Sequence, residues 1–282
     1  MHKLFTNDND FEMIEIKNEN ATAKIALQGA HLFEYTRRGE APLLWVSPTA
    51  HFEKGKAIRG GIPVCWPWFG KNAEHPGWPQ HGFARTAHWK LESITEPTDR
   101  LSVVTLSLES KQLEQSWFPF RFRLTLRIGI GETLSLSLTT ENYDDTPITL
   151  TEALHTYFSV GDIAAVSVTG LERVTYADNL ENFAHKSETS AVTITGEIDR
   201  VYLDTEAPVT IRDGKRKRSI TVGSRGSRST VVWNPWITKA AAMADFADDG
   251  YKTMLCIETA NALTNKVTIA PGESHTMTQT IR

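Results

Sequence analysis

Phe120-Arg121-Phe122-Arg123-Leu124-Thr125-Leu126-Arg127-Ile128 is followed by Gly129-Ile130-Gly131-Glu132 and then by Thr133-Leu134-Ser135-Leu136-Ser137-Leu138-Thr139. Both long runs alternate apolar and polar residues. Period-two alternation puts one set of side chains on each face of an extended chain, so each run reads as a half-buried strand. The glycines between them permit a tight connection, so the pair reads as an antiparallel hairpin. The same alternation recurs in Ala23-Lys24-Ile25-Ala26-Leu27 and in Leu101-Ser102-Val103-Val104-Thr105-Leu106-Ser107-Leu108. Asp213-Gly214 marks a second hairpin, between Val209-Thr210-Ile211 and Arg218-Ser219-Ile220-Thr221-Val222. Strand following strand through short turns, with little helical periodicity, predicts an all-β fold of stacked antiparallel sheets rather than βαβ units.

Two segments depart from this pattern. Thr238-Lys239-Ala240-Ala241-Ala242-Met243-Ala244-Asp245-Phe246 is alanine-rich, with Thr238 as N-cap and Gly250 just past its end, and predicts one short helix. From Ser47 to Trp89 the chain is dense in Gly, Pro, His and Trp and lacks alternation. That predicts a long ordered loop, the kind of element that commonly carries function on a rigid sheet scaffold.

The bulk properties narrow the class. Length alone does not decide the domain count, but all-β sandwiches of about this size routinely fold as one unit, and with no repeat or linker we expect a single domain over residues 1–282. A hydrophobic content of 40% leaves ample material for a core. A formal net charge of -4 argues against nucleic acid or an anionic membrane as partner, because those surfaces select an excess of Lys and Arg. The 2 cysteines, Cys65 and Cys256, form no CxxC pair. The polar start, MHKLFTNDNDFEMIEI, has no secretory apolar run, and no stretch approaches the roughly 18 apolar residues of a membrane span. A reducing, cytoplasmic location is the expectation.

The chemistry concentrates in three places. Ala153-Leu154-His155-Thr156-Tyr157-Phe158 and Cys256-Ile257-Glu258-Thr259-Ala260-Asn261 offer a histidine and a glutamate from strand-like segments far apart in sequence, which suits moving two protons on a small molecule such as a sugar ring. Set against this, a histidine at a strand end is more often structural, and a strand glutamate usually faces solvent. Arg59-Gly60-Gly61-Ile62-Pro63-Val64-Cys65-Trp66-Pro67-Trp68-Phe69-Gly70, followed by Gln80-His81-Gly82-Phe83-Ala84-Arg85, suits a sugar site: aromatic faces stack on a pyranose, glycines admit backbone N–H groups, and arginines bind oxyanions. The same residues would also serve as a packed loop closing one end of a sandwich. Other candidates are weaker. Lys215-Arg216-Lys217-Arg218 reads as a solvated hairpin tip, and Gly223-Ser224-Arg225-Gly226-Ser227-Arg228 as a flexible connection between strands. His75, His81 and His88 lack metal-ligand spacing, so no metal site is expected.

Taken in order, Arg59-Gly-Gly-Ile-Pro63, Gln80-His-Gly-Phe-Ala-Arg85, Leu154-His-Thr-Tyr-Phe158, Glu197-Ile-Asp-Arg-Val-Tyr202, Val232-Trp-Asn-Pro-Trp236 and Cys256-Ile-Glu-Thr-Ala-Asn261 resemble the aldose 1-epimerases. They are most similar to the branch called glucose-6-phosphate 1-epimerase or hexose-6-phosphate mutarotase. The resemblance implies a galactose-mutarotase-like β-supersandwich with one or two short helices. It also implies interconversion of the α and β anomers of a phosphorylated hexose without a cofactor, by a protein expected to be monomeric. It places the acid at His155 and the base at Glu258, with Arg59, Gln80, His81, Arg85 and Asp199 as substrate contacts and the two arginines as phosphate holders. For His155 to act as an acid near neutrality, a bound phosphate, Asp199 or Glu258 must keep its imidazolium populated. Two alternatives stay open at this level: a sugar-phosphate binding or sensor module without turnover, and a glycoside hydrolase using Asp199 and Glu258 as a carboxylate pair.

Overall fold

The computed structural model describes residues 1–72, 74–113 and 117–282. The alternating runs form the strands Phe122–Ile130 and Leu134–Asn142, paired antiparallel from Phe122 opposite Asn142 to Ile130 opposite Leu134. Every second residue of Leu134–Asn142 is buried, as its alternation requires. These strands lie in a nine-stranded antiparallel sheet that also contains Ser274–Ile281. An eight-stranded sheet holds Glu152–Leu154, Tyr157–Ser159, Ile198–Leu203, Ser229–Asn234 and Met254–Asn261. Residues of the N-terminal region add a four-stranded sheet that ends with His31–Arg37. The stacked all-β architecture expected from the sequence is the one observed.

The two large sheets face each other across the main core. Leu154, Val232 and Ile257 from one meet Leu126, Leu136, Met277 and Ile281 from the other. The far face of the eight-stranded sheet carries a second apolar layer, including Tyr157, Val231, Trp233 and Cys256, under Trp45 and Phe246. Its central strands are therefore covered on both sides, and all of Met254–Asn261 is buried. A strand buried on both faces has no need of polar alternation. The physical basis of the sandwich is this burial, worth about 1.5–3 kcal/mol for each large apolar side chain removed from water.

The long loop is irregular as predicted, with one short strand, Val64–Cys65, paired to Ala153 and Leu154. Three local expectations need correction. The helix spans Trp236–Ala242, with Pro235 and not Thr238 at its N-cap position, and the Trp236 N–H bonds to Asn234 Oδ1 at 2.9 Å. It stops at Met243 because the chain turns extended there, burying Phe246 against Trp45 and setting Asp245 beside Arg59. Tertiary packing overrides alanine propensity in so short a helix. The basic hairpin is not simply solvated: Arg216 and Arg218 fold back to donate to the Ser159 carbonyl. Gly223-Ser224-Arg225 belongs to the strand Arg218–Arg225, leaving only residues 226–228 as the connection. Among the described residues no helix is long and apolar enough to cross a membrane.

Candidate active site

Met254–Asn261 pairs with both short strands, Leu154 lying opposite Thr259 and Tyr157 opposite Cys256. The register is the same on both sides of the interruption, so His155 falls directly across from Glu258. Residues separated in sequence by a hundred positions thus become cross-strand neighbours. Period-two geometry then places His155, Tyr157, Cys256 and Glu258 on one face, with Trp233 beside Cys256 and Asp199 beside Trp233.

His155 Nδ1 lies 3.4 Å from Glu258 Oε1, close but not aligned as a hydrogen bond. His155 Nδ1 and Glu258 Oε2 are both buried without a hydrogen-bond partner. Glu258 is 1% exposed and His155 8%. Such orphaned polar atoms are costly in a folded interior, and their persistence points to a binding or chemical task. Burial pushes the Glu258 carboxyl well above the usual carboxylate range, helped by the charge of Asp199. Burial likewise pushes His155 well below the ordinary histidine value, with His81, Arg59 and Arg85 acting in the same direction. Both shifts favour the uncharged forms, Glu258 as the carboxylic acid and His155 as the imidazole. Neutral acid plus neutral imidazole holds the same number of protons as carboxylate plus imidazolium. One transfer across the contact converts either form to the other.

His81 stands 5.6 Å from His155, ring centroid to ring centroid. Its backbone is left-handed, φ 64°, and two reciprocal bonds hold it there: its N–H donates to the Gly70 carbonyl at 2.7 Å, and its Nδ1 accepts from the Gly70 N–H at 3.1 Å. With Nδ1 accepting, the neutral ring carries its proton on Nε2 and serves as a donor. Burial, then Arg85 and Arg59, lowers its pKa to about 3, so that neutral form persists across the physiological range. Gly82 follows with φ 71°, its backbone pressed against the Trp66 carbonyl.

Arg59 donates through Nε to both oxygens of Asp245 at 3.2 Å and through Nη1 to the Tyr157 hydroxyl at 3.1 Å. Tyr157 in turn stacks on His155, centroids 4.8 Å apart and planes within 7°. Arg85 donates to the Gln80 carbonyl at 2.7 Å. Gln80 itself is exposed. Asp199 accepts from Asn179 at 2.8 Å, and Lys239 Nζ sits 3.8 Å away while bonding Glu197 at 3.0 Å. The fold thus gathers His155, Glu258 and His81 at a centre, with Arg59, Arg85 and Asp199 close enough to bias their protonation. Gln80 joins through its backbone only. Tyr157, Asp245 and Lys239 are neighbours of the site that the sequence motifs do not single out. Tyr157 had a signal, since two residues beyond His155 on a strand means the same face, whereas Asp245 and Lys239 had none.

The donor atoms of His155, Cys256 and Glu258 lie within 4.8 Å of one another, a spacing that a metal ion could span. The chemistry of the set fits poorly. Burial and Glu258 push the Cys256 thiol well up, away from the thiolate that a metal requires.

The family model for aldose 1-epimerase matches residues 12–282. This chain belongs to the aldose 1-epimerase family. Within it, the chain is 40% identical over 262 residues to an Escherichia coli K12 protein named "Putative glucose-6-phosphate 1-epimerase", covering 92% of this chain and 86% of that one. A Salmonella typhimurium protein of the same name is 38% identical over 255 residues, covering 90% and 84% of the two chains. The crystal structure of a "putative mutarotase" from Salmonella typhimurium superposes with a TM-score of 0.93 at 35% identity, covering 99% of this chain and 92% of the other. The mutarotase-type sandwich expected from the resemblance is therefore the fold of this chain.

Proposed function

We propose that this protein interconverts the α and β anomers of a hexose 6-phosphate, with glucose 6-phosphate the leading substrate. Glu258 and His155 would exchange the two protons of ring opening. The observation that carries this is the cross-strand pair itself, two unpartnered titratable groups 3.4 Å apart on a buried sheet face. Mutarotation removes the proton of the anomeric hydroxyl while protonating the ring oxygen, then recloses after rotation about C1–C2. In the imidazolium–carboxylate form, Glu258 takes the first proton and His155 gives the second, and the roles reverse as the other anomer forms. If each group supplies ~10²–10⁴ in rate, together they lower the barrier by on the order of 5–11 kcal/mol. No cofactor enters such a reaction.

Arg59 and Arg85 are assigned to the phosphate, Asp199 and Gln80 to sugar hydroxyls, and His81, as a fixed Nε2–H donor, to an oxygen at or beside the ring. A phosphate dianion on the arginines also offsets two of the charges that keep His155 neutral, so the substrate helps to form its own acid. The names of the relatives and the arginine placement together support the phosphorylated substrate. We take residues 1–282 as one domain, in keeping with a core drawn from Ile14 to Ile281, and the working protein as a cytoplasmic monomer with free thiols.

The test is anomer exchange, followed by NMR saturation transfer, across free hexoses and their 6-phosphates. Exchange of glucose 6-phosphate well above that of glucose is the expected result. Equal efficiency on both would remove the phosphate assignment, and no exchange with any sugar would leave the binding module. Release of sugar from a disaccharide would favour the hydrolase, which the relatives do not.

A further inference from the structure

The back of the site strands is held from the other sheet. Along Ser274–Ile281 alternate side chains turn inward, and among them Gln279 has 0% exposure. Its Oε1 accepts from the Thr156 hydroxyl at 2.7 Å, and its Nε2 donates to the Thr259 hydroxyl at 3.0 Å. Thr156 directly follows His155, and Thr259 directly follows Glu258. A single amide from the nine-stranded sheet therefore ties together the two strands on which the acid–base pair rides. A second polar rung lies further along the same strands: His275 Nε2 is 3.2 Å from Glu152 Oε1, which also accepts from Asn261 at 3.0 Å.

The backbone shows why an added hold matters here. The strand ladder lapses between Leu154 and Tyr157, where the Thr156 N–H turns back to the Leu154 carbonyl at 3.0 Å. The position that must present His155 thus lies in a break of its strand, bridged to the partner strand by the Ile257 N–H donating to the Thr156 carbonyl at 3.3 Å. Stability alone does not call for a buried amide at this depth, because apolar groups of the same shape can replace both partners of a buried hydrogen bond at little cost.

We propose that Gln279 is a positioning residue: a cross-sheet clamp that fixes the spacing of the strands carrying His155 and Glu258, and so holds the two groups where one sugar ring can reach both. This rests on reading those residues as the acid–base pair. Gln279 is fully buried and bonds the residues next to His155 and Glu258, not those two residues themselves. Its effect falls on the alignment of that pair, where small displacements are amplified in rate.

The experiment compares Gln279→Leu with the triple variant Gln279→Leu, Thr156→Val, Thr259→Val. The single variant strands two buried hydroxyls and loses both stability and turnover. The triple variant removes every partner together, and its urea midpoint returns close to that of the wild type. If Gln279 positions the pair, kcat of the triple variant stays down by about 10- to 100-fold, while KM changes by no more than about twofold. Its His155 imidazole ¹⁵N resonances move or broaden as well. Wild-type kcat and unmoved resonances in a stable triple variant would overturn the proposal. Should the wild-type protein exchange no anomers, the acid–base reading fails by itself, and the imidazole resonances still decide whether the clamp holds His155 in place.

Discussion

Arg59 and His155 are joined through one phenol ring: the guanidinium donates to the Tyr157 hydroxyl at 3.1 Å, and that ring lies flat against the imidazole, 4.8 Å between centroids. The residue assigned to the phosphate and the residue assigned to the proton are thus mechanically and electrostatically linked. Burial, then His81, then Arg59 lower the His155 pKa. Positive charge from Arg59 and Arg85 adds to burial in disfavouring an imidazolium at His155.

Removing one of those charges moves His155 in a defined direction. In Arg85→Met, the His155 titration followed by imidazole NMR shifts upward, toward the ordinary histidine value, and saturating the wild-type protein with a hexose 6-phosphate produces a shift of the same sign. A titration that ignores both changes would mean that burial alone sets the protonation state.

Glu258→Gln keeps the shape of the side chain and removes its capacity to take a proton. Loss of one general acid–base partner costs about 10²–10⁴ in kcat, and His155→Asn falls in the same range. Because the two act in one step, the double variant loses much less than the product of the single losses. Near wild-type exchange in both single variants would place the chemistry elsewhere.

Gly82 tests the loop that aims His81. A β-carbon there would meet the Trp66 carbonyl oxygen at 1.9 Å, on a backbone with φ 71° that L-residues adopt poorly. Gly82→Ala lowers unfolding free energy by on the order of 3 kcal/mol or more, read from urea denaturation. Gly77, with nothing within 4 Å of its added β-carbon, is the control and tolerates alanine.

His31 sits under the same segment and gives a pH signature. It is 1% exposed, with Nε2 bonded to the Gly60 carbonyl at 2.7 Å, and burial lowers its pKa to about 4. The folded state therefore binds this proton less readily than the unfolded state. The stability tied to a neutral His31 is fully present above the unfolded value of about 6.5 and is lost as pH falls toward the folded value. Across that window the wild type loses up to about 3 kcal/mol relative to His31→Gln, measured by urea unfolding at a series of pH values. His275 has the opposite sign: its hydrogen bond to Glu152 raises its pKa, so its contribution is full below the ordinary histidine value and fades as pH rises.

The legible part of the fold was the part with one wet face. Phe122–Ile130 and Leu134–Asn142 alternate because each covers the core on one side and meets partly exposed surroundings on the other. Met254–Asn261 carries no such signal, being buried on both faces, and what stood out in it was a lone glutamate among small and apolar residues. The alanine run was a fair local argument for a helix that neighbouring aromatics cut short at Ala242. Lys215-Arg216-Lys217-Arg218 has the composition of a solvated tip, yet Arg216 and Arg218 both donate to the Ser159 carbonyl, an acceptor that no sequence pattern announces.

Sequence by itself determined the all-β class and the loop rich in Gly, Trp and Pro, and it supplied the residues proposed for the chemistry, because side-chain type and period-two spacing are properties of short stretches. Only the tertiary structure decided that His155 and Glu258 stand opposite each other, that burial disfavours charge on both, and that Arg59 reaches Tyr157 and Asp245 while Gln279 bonds Thr156 and Thr259. Those facts depend on strand register and on exclusion of water. Both are set by segments more than a hundred residues apart, whose meeting is fixed by the packed core as a whole.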